Sequence, residues 1–132
     1  MNEPTQRVRV LVVDDETFVS VVFRRTLARD YEVVTAASAE EALALLESGQ
    51  RFDVVVSDTN LGAGMWGPEF LGVVRERWST IACVIMSGDD QGAAKMAMED
   101  GRAQAFMAKP WESGEPEACI AAAIAKVQGR SA

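Results

Sequence analysis

Apolar residues along this chain fall into short continuous runs separated by stretches with helical spacing. Val8 to Val13 is almost unbroken and rich in β-branched residues. Tyr31 to Ala36, Phe52 to Ser57, Ile81 to Met86 and Gln104 to Ala108 follow the same form. Runs of this length predict buried strands, and the first reads as a central strand covered on both faces. Between them, Thr17 to about Arg29 carries Phe18, Val21, Val22 and Leu27 at helical spacing. Ser38 and Glu41 spell a capping box before a helix that reaches Leu46 and stops at Gly49. Pro68 suits the first turn of a third helix ending near Trp78. Gln91 to Asp100 predicts a fourth, closed by Gly101, and Pro116 to about Gln128 an alanine-rich fifth. Strict alternation of strand and helix implies an α/β fold with one doubly wound parallel sheet and right-handed crossovers. Periodicity leaves the strand order open.

The 132 residues suffice for one domain, expected over 8–128, with 1–7 and 129–132 as flexible ends. A net charge of -7 argues against direct nucleic-acid binding through a basic face. The chain has no histidine, which removes zinc-hydrolase, histidine-base and phosphohistidine chemistry from its own side chains. Cys83 and Cys119 lack a CxxC spacing and read as small buried hydrophobes in a reducing compartment. Met86, Met96, Met98 and Met107 read as core filler. Without a long apolar stretch or a signal-peptide core, a cytoplasmic protein with no membrane partner is expected.

Four of the runs end in chemistry: Asp14-Asp15, Asp58, Ser87 and Lys109. In an open parallel sheet, strand C-termini form the ligand crevice, so these groups are expected to converge. Each has an ordinary alternative. Asp14, Asp15 and Glu16 can cap a helix, Asp58 can start a turn, and a lone Ser or Lys at a strand end can be a turn or surface residue. If Asp58 faces the acidic pair, two like charges about 4 Å apart repel by roughly 4 kcal/mol at an effective dielectric near 20. Such a cluster demands a cation, and hard oxygen ligands without His or Cys favour Mg²⁺. Ser87 and Lys109 then suit the oxygens of a phosphoryl group carried by Asp58 as nucleophile.

VLVVDDE, FDVVVSD, VIMSG and AFMAKPW, in this order, resemble the receiver domain of the two-component response-regulator family over about Val8 to Val127. The resemblance implies a flavodoxin-like sheet of order 2-1-3-4-5 with five helices. It implies that Asp58 is the phosphoacceptor and that Asp15, Asp58 and the Asn60 carbonyl bind Mg²⁺, with Asp14 acting mainly through water. Ser87 would donate to the phosphoryl group, Lys109 would pair with it, and the Lys109–Pro110 bond would be cis. Phe106 matches the family's aromatic switch position, though a plain core role is compatible. The switch would change the face built by the fourth helix, fifth strand and fifth helix. Implied partners are a sensor histidine kinase or histidine phosphotransfer protein and an output domain or downstream protein, with a phosphorylation-dependent dimer allowed. The chain would catalyse only its own phosphorylation and dephosphorylation, and so is not expected to be an enzyme acting on an external substrate.

The loop after Asp58 departs from the family pattern, reading Leu61-Gly62-Ala63-Gly64-Met65-Trp66-Gly67-Pro68 and seemingly one residue longer. Ser87-Gly88 replaces the commoner Thr-Ala, and Asn60 and Asp89 occupy positions that tune self-hydrolysis in the family. The loop also spells G-x-G-x-x-G, with Asp89 further on. A dinucleotide fingerprint should turn directly off its strand, whereas here Asp58 to Leu61 intervenes and would repel a pyrophosphate. Two other readings remain. A Mg²⁺-dependent aspartyl-phosphate phosphohydrolase of haloacid-dehalogenase-like type would want D-x-D, which neither DDE nor DTN provides. A non-phosphorylated receiver-like interaction module would not need the acidic, hydroxyl and lysine set.

Overall fold

A computed structural model gives the structure, which describes residues 7–62, 64–88 and 92–130. Its elements alternate without exception: β1 (Val8–Val13), α1 (Thr17–Leu27), β2 (Tyr31–Ala36), α2 (Ala39–Glu47), β3 (Val54–Asp58), α3 (Gly67–Arg77), β4 (Ala82–Ser87), α4 (Gly92–Glu99), β5 (Ala105–Ala108) and α5 (Glu115–Arg130). The strands form one parallel sheet of order β2-β1-β3-β4-β5, the flavodoxin-like arrangement. The order reverses between β1 and β3, which are adjacent, and their C-terminal ends open at this switch point.

The β-branched runs form central strands because both faces are covered. Leu11, Val13, Val55 and Ile85 face one way and pack with Leu46, Phe70, Leu71 and Ala94 from α2, α3 and α4. Val10, Val12, Val54, Val56, Val84 and Met86 face the other way, against Phe23 and Leu27 of α1 and Ile120 and Ala123 of α5. Fully burying one such side chain contributes about 1.5–3 kcal/mol, so a one-residue slip of β1 or β3 would misplace many such contributions at once. Register at the site end is therefore firm. The first half of the predicted capping box forms, with Ser38 Oγ accepting from Glu41 N–H at 3.0 Å, while Glu41 Oε1 reaches one residue further back and accepts from Ala37 N–H at 2.9 Å.

Some expectations are corrected. The buried arc of α1 is Ser20, Phe23 and Leu27, whereas Phe18 is 78% exposed and Val21 is also exposed. At 3.6 residues per turn, Phe18 lies on the helix side opposite Phe23 and Leu27. Met86 and Met107 are core residues and Met98 packs against the core, but Met96 is exposed on α4. Cys83 is buried, and desolvation pushes its thiol up to about 12. Cys119 is only half-buried, and its Sγ lies 3.4 Å from Phe106 O, which accepts its hydrogen bond. α5 runs to Arg130, past the expected end at Gln128. Asp89, Gln91, Ala63 and most of the two expected flexible ends lie outside the described residues. No helix among the described residues is long and apolar enough to cross a membrane.

Candidate functional site

The crevice at the C-terminal ends of β1, β3 and β5 brings the separate carboxylates and the lysine together. Lys109 Nζ lies 3.2 Å from Asp14 Oδ2, 3.2 Å from Glu16 Oε1 and 3.2 Å from Asp58 Oδ2. These are residues far apart in the chain, joined only because β1 and β3 are neighbours and β5 closes the sheet edge. The Lys109–Pro110 bond is cis, as expected. Beyond it, Trp111 packs edge-on against Phe23 of α1, with ring centroids 5.3 Å apart. That contact anchors the segment carrying Lys109 to the helix that follows Asp14.

Asp14 does more than the capping reading required of it. Its Oδ1 accepts from Glu16 N–H at 2.9 Å, while the N-cap of α1 is Glu16, which makes no side-chain cap bond. The other oxygen of Asp14 faces Lys109. Asp58 closes β3 and is buried, and Asn60 Oδ1 takes Gly62 N–H at 2.9 Å, shaping the loop beyond it. Gly62 has φ +77, and a Cβ there would meet Asp15 Oδ2 at 2.8 Å. A side chain would thus be strained and would crowd the acid opposite. Gly67 approaches closely as well: its N–H donates to Thr59 O at 2.9 Å, and an added Cβ would fall 2.0 Å from Asp58 O. Local geometry thus accounts for Gly62 and Gly67 of the G-x-G-x-x-G string, so a dinucleotide site is not needed to explain them.

One carboxylate oxygen each from Asp14, Glu16 and Asp58 lies within 4.8 Å of the others. Three carboxylates thus face one ammonium. Burial raises the Asp14 carboxyl above its usual value, against the opposing pull of the Glu16 N–H and Lys109. Burial also raises Asp58, with the Asp14 charge adding to it and Lys109 offsetting part. Desolvation acts to lower Lys109, but the Asp14 and Asp58 charges outweigh it and hold the ammonium firmly charged. Negative charge is left in excess, on hard oxygen donors with no nitrogen or sulfur ligand among them. The donor set fits Mg²⁺.

Asp15 is exposed and its carboxylate stands outside that group of three, lining an adjoining hollow with Glu16, Asp58, Asn60 and Gly62. Ser87 and Gly88 line a second cavity of about 430 Å³ together with Asp58, Thr59, Trp66 and Lys109. Phe106 lies away from the acids, half-buried, beside Lys95, Met98 and Glu99 in a hollow between α4 and β5. Sequence reasoning assigned Glu16 only to capping and overlooked Trp66 as part of the site. The DDE string held the signal for Glu16, because residue i+2 from Asp14 can return to the same side once the strand turns. Trp66 carried no such signal.

The chain matches the family model described as "Response regulator receiver domain" over residues 10–121. It is 42% identical over 104 residues to the hydrogenase transcriptional regulatory protein HoxA of Cupriavidus necator, covering 77% of this chain and 21% of that protein. It is 33% identical over 106 residues to the response regulator protein FleR of Pseudomonas aeruginosa, covering 79% of this chain and 22% of that protein. The chain therefore spans about a fifth of the length of these two curated relatives. A crystal structure of the signal receiver domain of an HD domain-containing protein from Pseudomonas fluorescens Pf-5 superimposes with TM-score 0.84 at 25% identity. That match covers 94% of this chain and 99% of that one.

Proposed function

The chain belongs to the response regulator receiver domain family of two-component signalling, and from that premise we propose that Asp58 is its phosphoacceptor. The observation that carries this reading is Lys109 Nζ at 3.2 Å from both Asp58 and Asp14, in the crevice at the β1–β3 switch point. A histidine kinase or histidine phosphotransfer protein would supply the phosphoryl group. Asp58 Oδ attacks phosphorus, a P–O bond forms, the donor's P–N bond breaks, and its electron pair leaves on the imidazole nitrogen. Lys109 holds charge beside the transferring group, and Ser87, across the same cavity, donates its hydroxyl to a phosphoryl oxygen.

Asp14, Asp15, Asp58 and the Asn60 carbonyl would hold Mg²⁺, with Glu16 near enough to join them. When bound, the ion supplies positive charge that offsets the acids and the phosphoryl oxygens. Asp14 orients the turn through Glu16 N–H and keeps Lys109 charged. The chain would thereby catalyse only its own phosphorylation and dephosphorylation.

Signalling would run through Phe106 and the face of α4, β5 and α5. Ser87 pairs in register with Ala108, two residues beyond Phe106 on β5, so a shift at Ser87 has a short path to that ring. The phosphoryl group biases this face only by its differential contacts in the two states. An output domain or downstream protein would read the change, and a dimer could form on the same face. Beside Lys109, the exposed Phe18 and half-buried Val22 adjoin Pro110 and Trp111, and this apolar patch suits the partner that presents the phosphohistidine. A cytoplasmic location follows from such partners.

Incubation with acetyl phosphate and Mg²⁺, followed by intact mass, tests the reading. The expected result is a Mg²⁺-dependent gain of one phosphoryl group, lost in Asp58→Asn. Continuous phosphate release from many small esters would point to a hydrolase instead, and no reaction at all would point to an interaction module.

A further inference from the structure

Trp66 occupies a place where helix chemistry gives no reason for a tryptophan. It is the N-cap of α3, a position that favours Ser, Thr, Asp or Asn, and its side chain makes no cap hydrogen bond. Its backbone is nevertheless tightly held. Trp66 O accepts from Phe70 N–H at 2.9 Å, and the next residue, Gly67, is pressed against Asp58 O and bonded to Thr59 O. The root of the side chain is thus fixed relative to the strand end bearing Asp58. The indole is 47% exposed and lines the same cavity as Asp58, Ser87 and Lys109, as its one aromatic wall among the described residues. Glu16, also lining that cavity, has an exposed carboxylate.

A cavity of about 430 Å³ has room for a phosphoryl group together with a planar leaving group. Glu16 and Asp58 in that lining both face Lys109, so the indole is the group there that favours a flat cation over an anion. We propose that Trp66 is a specificity-determining residue whose indole seats the protonated imidazole of a phosphohistidine while the phosphoryl group meets Asp58. The assignment rests on the reading of Asp58 as phosphoacceptor. The ring, protonated on its non-phosphorylated nitrogen, is a planar cation in the ground state. During transfer the P–N bond breaks as the P–O bond to Asp58 forms, and the bonding pair stays on the ring nitrogen. The imidazole departs neutral, still carrying the proton on its other nitrogen. Acetyl phosphate instead releases acetate, an anion that gains nothing from the indole.

Phosphoimidazole and acetyl phosphate, each with Mg²⁺, are the probes, and intact mass gives the phosphorylation rate of wild type, Trp66→Ala and Trp66→Phe. The quantity read is the ratio of the two rate constants. A folding defect lowers both rates and cancels in the ratio. A loss of cation–π contact predicts a fall of about fivefold in Trp66→Ala, with Trp66→Phe lying between it and wild type. A fall smaller than about threefold, or a ratio in Trp66→Phe no higher than in Trp66→Ala, overturns the assignment while leaving Asp58 as acceptor. A wild type that takes a phosphoryl group from neither donor overturns this assignment and the reading of Asp58 together.

Discussion

The two ends of the sheet handle charge in opposite ways. At the N-terminal end, acids and cations are matched nearly one to one, Glu32 and Arg51 at the surface and Arg9 largely buried with its own partners. Arg51 pairs with Asp53, whose Oδ2 also accepts from Arg9 N–H at 2.8 Å. The Arg9 guanidinium lies 4.8 Å from the Phe52 ring centroid and 3.7 Å from Glu32. At the C-terminal end, the Asp14 side chain is 0% exposed and that of Lys109 only 16%, and one ammonium serves three carboxylates. Pairs in water are nearly neutral for stability, whereas buried and unmatched charge is costly. A fold keeps that cost where the charge has work to do, and here it falls in the crevice where a cation and a phosphoryl group are proposed to bind.

Removing the ammonium that faces the three acids tests this contrast most severely. Lys109→Met should lower stability by about 4 kcal/mol in divalent-free buffer, since buried carboxylates are then left unpaired. Urea melts measure it, and a loss below about 1 kcal/mol would mean that the site does not depend on its lysine. Gly67→Ala follows, at about 3 kcal/mol, because the new Cβ meets the Asp58 carbonyl rather than a side chain that can swing away. The same variant should slow phosphorylation in the acetyl phosphate assay, as α3 must shift off β3.

Asp58→Asn should act in the opposite direction, stabilising the metal-free protein at neutral pH. The carboxyl is raised by burial and by Asp14, so the folded chain binds its proton more tightly than the unfolded chain. Wild-type stability therefore falls as pH rises through the window above 3.8, and the advantage of the variant should shrink as pH drops toward that value. A pH series of urea melts checks the sign, and a gap that widens on acidification would contradict it. At the quiet end of the sheet, Arg51→Ala should change stability by less than about 0.5 kcal/mol, and added salt should hardly alter that result. A larger loss there would erase the contrast between the ends.

Local chemistry carried the sequence a long way. Short, nearly continuous apolar runs specified five strands, the Ser38–Glu41 box started α2, and the polar residues closing four runs marked Asp14, Asp58, Ser87 and Lys109 as site candidates. Each of these signals lies within a few residues of chain. What needed the folded molecule were relations between distant segments: Lys109 against Asp14 and Asp58, 95 and 51 positions away along the chain. The turn after β1 brought Glu16 rather than Asp15 into the group of three acids. The inward phase of α1 exposed Phe18, and the press of Gly67 on β3 held Trp66 at the wall of the cavity that Asp58 also lines. Periodicity tells a residue which state of backbone it adopts. Which atoms then meet depends on strand order and packing between layers, and no window along the chain contains that information.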